Sequence, residues 1–338
     1  MHALVTGGGG FLGRRIVELL RDQGHSVRFL ARGAYPEVEA TGATGLQVDL
    51  QDKEAVSQAV EGVDIVFHVA ARAGFFGPLS DYWGPNVDGT RHILDAMEDH
   101  GVTRLVYTST PSVIGYEHDV EDGGNDLPYA GKHLSPYPES KAAAEQLVLE
   151  SNRPGLATVS LRPHLIYGPR DTNLMPRVFD RARRGRLRII GDGTAMVDTT
   201  YIDNAAWAHL DAARALTGST APCAGNAYFI SDDQPVVLWD WVNTLLTELE
   251  IPLVNRKIPY SVARPLAGVL EGAWRMLGLK GEPPLTPFVV DGFARSHWFN
   301  MAPAKRDFGY YIRVSPEDAL KRTVEWFQKA DADESPAV

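Results

Sequence analysis

Two tracts of this chain have residue types and spacings that could do chemistry. Tyr137-Pro138-Glu139-Ser140-Lys141 puts a phenol and an ammonium four residues apart. On a helix, positions i and i+4 share one face. A free tyrosine, with a pKa of about 10, is a poor acid–base group at neutral pH. A lysine cation beside it favours the phenolate and lowers that pKa. The phenol could then give a proton to a carbonyl oxygen as hydride arrives, or take one in reverse. Lys141 could also donate to the ribose hydroxyls of a nicotinamide. Alone, the pair reads by default as a solvated surface pair, and its weight comes from the second tract. Gly7-Gly8-Gly9-Gly10-Phe11-Leu12-Gly13 spaces glycines at 7, 10 and 13. A tight turn needs positive φ, a diphosphate needs backbone without a Cβ, and a helix must pack closely on the preceding strand. The helix N-terminus adds unpaired N–H groups and a partial positive charge. Gly7, Gly9, Gly10, Phe11, Leu12 and Gly13 are therefore candidates to hold a dinucleotide.

Other positions would complete such a site. Arg32 stands where an acidic residue would accept from the adenosine ribose, and an arginine there can pair with a 2′-phosphate, so NADP(H) is favoured and NAD(H) remains possible. Asp49-Leu50 would lie beside the adenine. Leu105–Ser112 ends in hydroxyls, Thr108, Ser109, Thr110 and Ser112, one of which should orient a substrate oxygen while others satisfy local backbone. Phe75, Phe76 and Trp83, with Leu174, Met175, Trp274, Met276 and Trp298, suit a lipid-like ketone or alcohol, although core packing accounts for most of them. His164 either faces the substrate or is structural. The ten histidines and single cysteine show no metal-ligand spacing, so no metal is predicted.

The elements that must position these residues follow from periodicity. Ala3–Thr6, Ser26–Ala31, Leu46–Asp49, Val63–Ala70, Arg104–Ser109 and Ala157–Arg162 read as strands. Phe11–Gln23, Lys53–Glu61, Asn86–His100 and Pro138–Ser151 read as helices between them. Such alternation implies an α/β fold with a doubly wound parallel sheet of Rossmann type. Beyond about Gly168 the rhythm breaks. Asn204–Leu216, Val236–Leu249, Ser261–Leu279 and Pro316–Lys329 read as helices, the last capped by Ser315. Asp203-Asn204 reads as an N-cap. The Ser261–Leu279 helix is expected to pack in the core in preference to touching a membrane surface.

The chain has 338 residues and a formal net charge of −10. Without basic runs this excludes a nucleic-acid phosphate backbone as partner. A single cysteine points to the cytoplasm, and no apolar run reaches membrane-spanning length.

Jointly, Thr6-Gly7-x-x-Gly10-x-x-Gly13, Asp49-Leu50, Asn86-Val87-x-Gly89-Thr90, Tyr107-Thr108-Ser109, Tyr137-x-x-x-Lys141 and Arg162-Pro163-His164-Leu165-Ile166-Tyr167-Gly168-Pro169 resemble an extended short-chain dehydrogenase/reductase. Ser135-Pro136-Tyr137-Pro138-x-Ser140-Lys141 and the late Pro283-Pro284-Leu285-Thr286 and Ser296-His297-Trp298-Phe299 resemble its 3β-hydroxysteroid dehydrogenase-like branch. Ala31-Arg32-Gly33-x-Tyr35-Pro36 is similar to that branch's bacterial reductases of 2-alkyl-3-oxoalkanoic acids. The resemblance implies Tyr137 as general acid/base, Lys141 as its partner, and Thr110 as the third catalytic group, with Ser109 as the alternative. It implies that Asn86, Ala70, Ala71, Thr108, Pro163, His164 and Leu165 surround the cofactor, that Phe75, Phe76, Thr110, Tyr137 and His164 meet the substrate, and that the protein is a homodimer. Residues 1–169 would form the cofactor domain, with 198–232 returning to it; 170–197 and 233–330 would cap the substrate, and 331–338 would be a frayed tail. The expected activity is NADP(H)-dependent reduction of a 3-oxo group, or oxidation of a 3-hydroxy group, on a long apolar substrate. A steroid 3β-hydroxy dehydrogenase, a nucleotide-sugar epimerase or dehydratase with tightly held NAD, and a non-catalytic cofactor sensor are the alternatives.

Overall fold

Short runs of β-branched and aromatic residues, apolar on both faces, build the sheet that carries the site. The computed structural model describes residues 1–334. Its central strands are β1 (His2–Thr6), β2 (Ser26–Ala31), β3 (Thr44–Gln47), β4 (Ile65–His68), β5 (Arg104–Thr108), β6 (Ala157–Pro163) and β7 (Ala227–Ile230). They form one seven-stranded sheet in the order β7-β6-β5-β4-β1-β2-β3, and each neighbouring pair is parallel. Side chains alternate between two covering layers. Ala3, Val5, Phe29, Phe67 and Val106 join one buried cluster; Leu4, Leu30, Val66, Leu105 and Tyr107 join the other. Burial on both faces is why these strands read as continuous apolar runs.

The principal helices are α1 (Phe11–Asp22), α2 (Lys53–Val60), α3 (Gly89–Asp99), α4 (Pro136–Glu150), α5 (Leu174–Arg183), α6 (Ile202–Ala215), α7 (Leu238–Glu248), α8 (Tyr260–Leu277), α9 (Pro287–Ala294) and α10 (Pro316–Glu334). Helix α1 packs on α6 over one sheet face, and the small buried side chains Ala205, Ala206, Ala208, Ala212 and Ala213 of α6 let the elements approach closely. Helices α2, α3 and α4 cover the opposite face with Val56, Ile93, Met97, Ala144 and Val148. Each fully buried aliphatic side chain there, such as Ile93, contributes roughly 1.5–3 kcal/mol. Apart from this sheet, short strands 236–237, 196–197, 297–299 and 120–123 make a second, four-stranded sheet, to which the tract between β5 and β6 supplies 120–123.

Several expectations are corrected by tertiary context. The tract expected to begin a helix at Asn86 opens as a π-helical turn, Gly84–Asp88, before α3. Asp203-Asn204 is not an N-cap: α6 starts at Ile202 with no side-chain cap on Tyr201. Asp203 instead accepts from Arg15 at 2.7 Å, and buried Asn204 donates to Asp232 and to the Val314 carbonyl. Ser315 does accept the Asp318 amide at the start of α10. The expected tail is helical at residues 331–334, and the rest of it lies outside the described residues. Helix α8 departs most. It buries Ala263 and Ala267, whereas Val269 is 69% and Met276 81% exposed, and Val262, Leu266 and Leu277 are exposed beside them. Its apolar stripe is therefore not core. Among the described residues no helix is long and apolar enough to cross a membrane.

Candidate active site

Strand order reverses at β1, whose neighbours are β2 and β4. In an open parallel sheet a ligand crevice forms at such a switch point, outside the carboxyl ends of the strands. A cleft of about 730 Å³ lies there. Of the residues singled out above, Gly7, Gly10, Phe11, Leu12, Gly13, Arg32, Asp49, Leu50, Ala70, Ala71, Thr108, Ser109, Thr110, Tyr137, Pro163 and Leu174 line it. Tyr35, from the quoted Ala31–Pro36 tract, also lines it, as do Gln51, Val69, Arg72, Asp171 and Asn173, to which the sequence reading assigned no role.

The glycine turn is built without room for side chains. Gly7 has φ +69°, and a Cβ there would lie 2.9 Å from Ala70 Cα. A Cβ at Gly13 would sit 2.2 Å from the Gly7 carbonyl oxygen, a backbone atom that cannot move aside. Gly10 caps α1 in an extended conformation with no side-chain bond, so the first amides of the helix stay available to an anion. Gly9 faces elsewhere: a Cβ there would strike the Tyr35 ring at 2.3 Å. Arg32 is exposed and, among the described residues, makes no hydrogen bond or ion pair. The turn, the helix terminus and this unpaired guanidinium fit a dinucleotide diphosphate and an additional phosphate.

A buried polar chain fixes the floor of the cleft. Thr6 Oγ1 accepts from the Val69 and Ala70 amides, each at 3.1 Å, leaving its own proton for His68 Nδ1 at 2.7 Å. His68 Nε2 then donates to Thr90 Oγ1 at 2.9 Å, and Thr90 donates to the Asn86 carbonyl at 2.6 Å. Burial and the Lys141 charge hold His68 down to about 3, so this chain is neutral. Asn86 does not line the cleft. Its amide pins Arg72, accepting from N at 2.7 Å and donating to O at 3.1 Å, and donates to Ser140 Oγ at 2.9 Å. It thus ties the loop after β4 to the helix that carries Tyr137 and Lys141.

Tyr137 and Lys141 lie a turn apart on α4, but their electrostatics differ from the expectation. Lys141 is buried and donates to the Thr108 carbonyl at 2.6 Å, with Nζ 4.1 Å from the centre of the Tyr107 ring. Burial pushes it down to about 7, opposed by the Glu145 carboxylate. Burial pushes the Tyr137 phenol up to about 12, opposed by a hydrogen bond with Thr110. The cation does not lower the phenol here because it is turned to the strand carbonyl and burial dominates. Thr110 Oγ1 also meets Ser112 Oγ at 3.0 Å. Ser109 Oγ is buried beside Glu145 without a hydrogen bond of good geometry. Behind them, Glu145 and Arg162 form a buried ion pair, with Arg162 Nε 3.0 Å from Oε2. Tyr129 and Ser160 donate to the same carboxylate.

The remaining candidates stand outside the dinucleotide cleft. His164 is buried; its Nδ1 donates to the Asp198 carbonyl at 2.6 Å, and its ring lies 4.7 Å from that of His297. Leu165 follows it with φ +40° and is not on the cleft wall. The Phe75 carbonyl accepts from Ser135 Oγ, and the Phe75 ring meets Phe288. Phe76 and Trp274 line a second cleft of about 620 Å³. Met175 is core, whereas Trp83 is exposed.

Comparison with known proteins agrees with this geometry. Residues 4–260 match the 3-beta hydroxysteroid dehydrogenase/isomerase family. The chain is 48% identical over 324 residues to the 2-alkyl-3-oxoalkanoate reductase of Stenotrophomonas maltophilia (strain K279a), covering 95% of this chain and 98% of that protein. It is 44% identical over 328 residues to the 2-alkyl-3-oxoalkanoate reductase of Shewanella oneidensis, covering 95% and 85%. Its fold is similar to the crystal structure of gox2253, with a TM-score of 0.79, 26% identity, and 97% and 98% of the two chains covered. The chain belongs to the 3-beta hydroxysteroid dehydrogenase/isomerase family of extended short-chain oxidoreductases.

Proposed function

We propose that this protein uses NADP(H) to reduce the 3-oxo group of a long apolar substrate such as a 2-alkyl-3-oxoalkanoic acid. The observation that carries this reading is one cleft with a glycine cradle at one end and the Tyr137 phenol beside the Thr110 hydroxyl at the other. The named activity of the two bacterial relatives supports the substrate class. When bound, the nicotinamide supplies the hydride.

The chain's own residues do the rest. The amides at the start of α1 would hold the diphosphate, and Arg32 would pair with the 2′-phosphate. Thr110 donates to the substrate oxygen and orients it. Tyr137, held protonated by burial at neutral pH, gives its proton to that oxygen as negative charge develops. A protonated phenol is the form needed for reduction, and the oxidative direction would need it deprotonated. Lys141 holds the Thr108 carbonyl, and so fixes α4 against the end of β5. Asn86 positions the loop at Arg72 relative to Ser140. The reading includes a cytoplasmic homodimer, joined through α3 and α4.

Reduced-nicotinamide absorbance tests the reaction, with NADPH and NADH each offered β-keto acids, steroids and simple ketones. Oxidation of NADPH with the β-keto acids is expected. Tyr137→Phe should abolish it while binding NADPH nearly as well as the parent. No oxidation of either cofactor across the panel refutes the proposal.

A further inference from the structure

The Lys141 ammonium is buried where no carboxylate answers its charge. It is 2% exposed, and among the described residues it makes no ion pair. Its hydrogen bond goes to the Thr108 carbonyl at 2.6 Å. Glu145 stands one turn further along α4, but Arg162, Tyr129 and Ser160 engage both of its oxygens. A buried charge without a partner loses its proton unless other groups stabilise it.

What stabilises it here is a ring. Lys141 Nζ lies over the face of Tyr107, 4.1 Å from its centre. The faces of an aromatic ring carry negative potential, and they attract a cation more strongly once water is excluded. Tyr107 is 1% exposed, so the contact is dry on both sides. The ring and the carbonyl come from successive residues, and the end of β5 therefore supplies the whole seat. The Tyr107 hydroxyl takes no part in it. That group is buried near Thr90 without a hydrogen bond of good geometry. His68 adjoins the ring, with centroids 5.4 Å apart, and burial keeps it neutral, so it brings no second cation. The titratable groups around Lys141 are thus Tyr137 and Glu145 on α4, Arg162 on β6 paired with Glu145, Tyr107 on β5 and His68 on β4.

We propose that Tyr107 is a positioning residue of the reaction, its ring face being the seat that keeps the buried Lys141 ammonium charged and bonded to the end of β5. The inference rests on the reading that Tyr137 and Thr110 act together on the substrate oxygen. An ammonium makes a charge-assisted bond to a carbonyl, and a neutral amine makes a weaker one. The clamp that holds the Tyr137 turn of α4 against β5 therefore depends on the charge of Lys141. Burial pushes that group down to about 7, so near neutral pH a modest change in its surroundings decides its charge.

The test follows Lys141 by NMR pH titration of the full chain, isotope-labelled at lysine Cε, with Lys141→Arg identifying the signal. Tyr107→Leu should lower the Lys141 midpoint by about one pH unit, whereas Tyr107→Phe should leave it within about 0.3 unit of the parent. Phenylalanine analogues with one, two or three ring fluorines at position 107 keep the shape of the ring and withdraw negative charge from its face. The midpoint should fall with each fluorine, which keeps the test open should the leucine variant fold poorly. With NADPH and a 3-oxo acid, the alkaline limb of kcat should move down by the same amount as the midpoint. A midpoint that responds neither to leucine nor to the fluorine series overturns the seat. A midpoint that moves while the pH profile of kcat stays fixed overturns the positioning role. If no 3-oxo acid is reduced, the titration still decides the seat, and the proposed reaction alone fails.

Discussion

Arg32 offers the sharpest separation between a cofactor-selecting residue and a bystander. It follows β2 on the cleft wall, is exposed, and has no partner among the described residues. Replacing it with serine therefore breaks nothing in the fold, and stability should stay within about 0.5 kcal/mol of the parent. A hydrogen bond to a charged group is worth about 1.5–3 kcal/mol, and exposure puts Arg32 at the low end. At about 1.4 kcal/mol per decade, Arg32→Ser should weaken NADPH roughly tenfold while moving NADH less than about twofold. Arg32→Lys should fall between, because it keeps the charge and loses the planar fork. Nicotinamide fluorescence titration reads both dissociation constants. A salt series adds a second signature: screening should weaken NADPH binding more in the parent than in Arg32→Ser. An equal loss for both cofactors would mean that Arg32 merely covers the adenine. No loss for either would refute the 2′-phosphate assignment.

Other consequences are separable by variant and pH. Thr110→Ala should lower kcat by about 10²–10³, as expected for a donor aimed at the developing oxyanion, whereas Ser109→Ala should cost less than about tenfold; steady-state kinetics of the two decide which hydroxyl acts. Asp198 is buried with one carboxylate oxygen unpartnered, and burial pushes it up to about 7 from 3.8. The fold prefers its protonated form, so its contribution to stability is full below about pH 4 and is lost as pH rises through 7. Urea unfolding should show Asp198→Asn gaining on the parent between pH 5 and pH 8, by on the order of a few kcal/mol, and parallel pH profiles would contradict this. Glu145→Ala leaves the Arg162 guanidinium buried without its carboxylate and should cost about 3–5 kcal/mol. Replacing both partners with apolar residues should cost less, and an equal loss in urea unfolding would show that the pair itself is not the source.

What could be read along the chain was local. Ala3–Val5 and Val66–Phe67 are apolar on successive residues because helices cover both faces of their sheet, and that signature survives without coordinates. The glycines at 7, 10 and 13 were legible because close approach demands a missing Cβ, and the structure has backbone atoms within 3.0 Å of where a Cβ would stand at Gly7 and Gly13, while at Gly10 the contact would be a tight 3.2 Å. Spacing could place Tyr137 and Lys141 on one helix face, but it could not say which acceptor the ammonium would find. It found the Thr108 carbonyl, on a strand 33 residues earlier. Thr6 and Thr90 stand in quoted motifs and His68 in none, but the roles of all three were illegible, because their hydrogen bonds exist only once β1, β4 and the turn before α3 are side by side. Helix α8 shows the opposite failure. Its period marks an apolar stripe correctly, but a period states only that a face is apolar, never that another element covers it. The substrate side was least legible for the same reason. Glu282 reaches Phe75 across 207 residues, a pattern of contacts and not of periods. Cofactor chemistry in this fold is written in short motifs at strand ends, whereas substrate choice is written in long-range packing. Variants at Thr110 and Arg32 should therefore combine additively in kcat/KM, since they touch different ends of the cleft and share no partner.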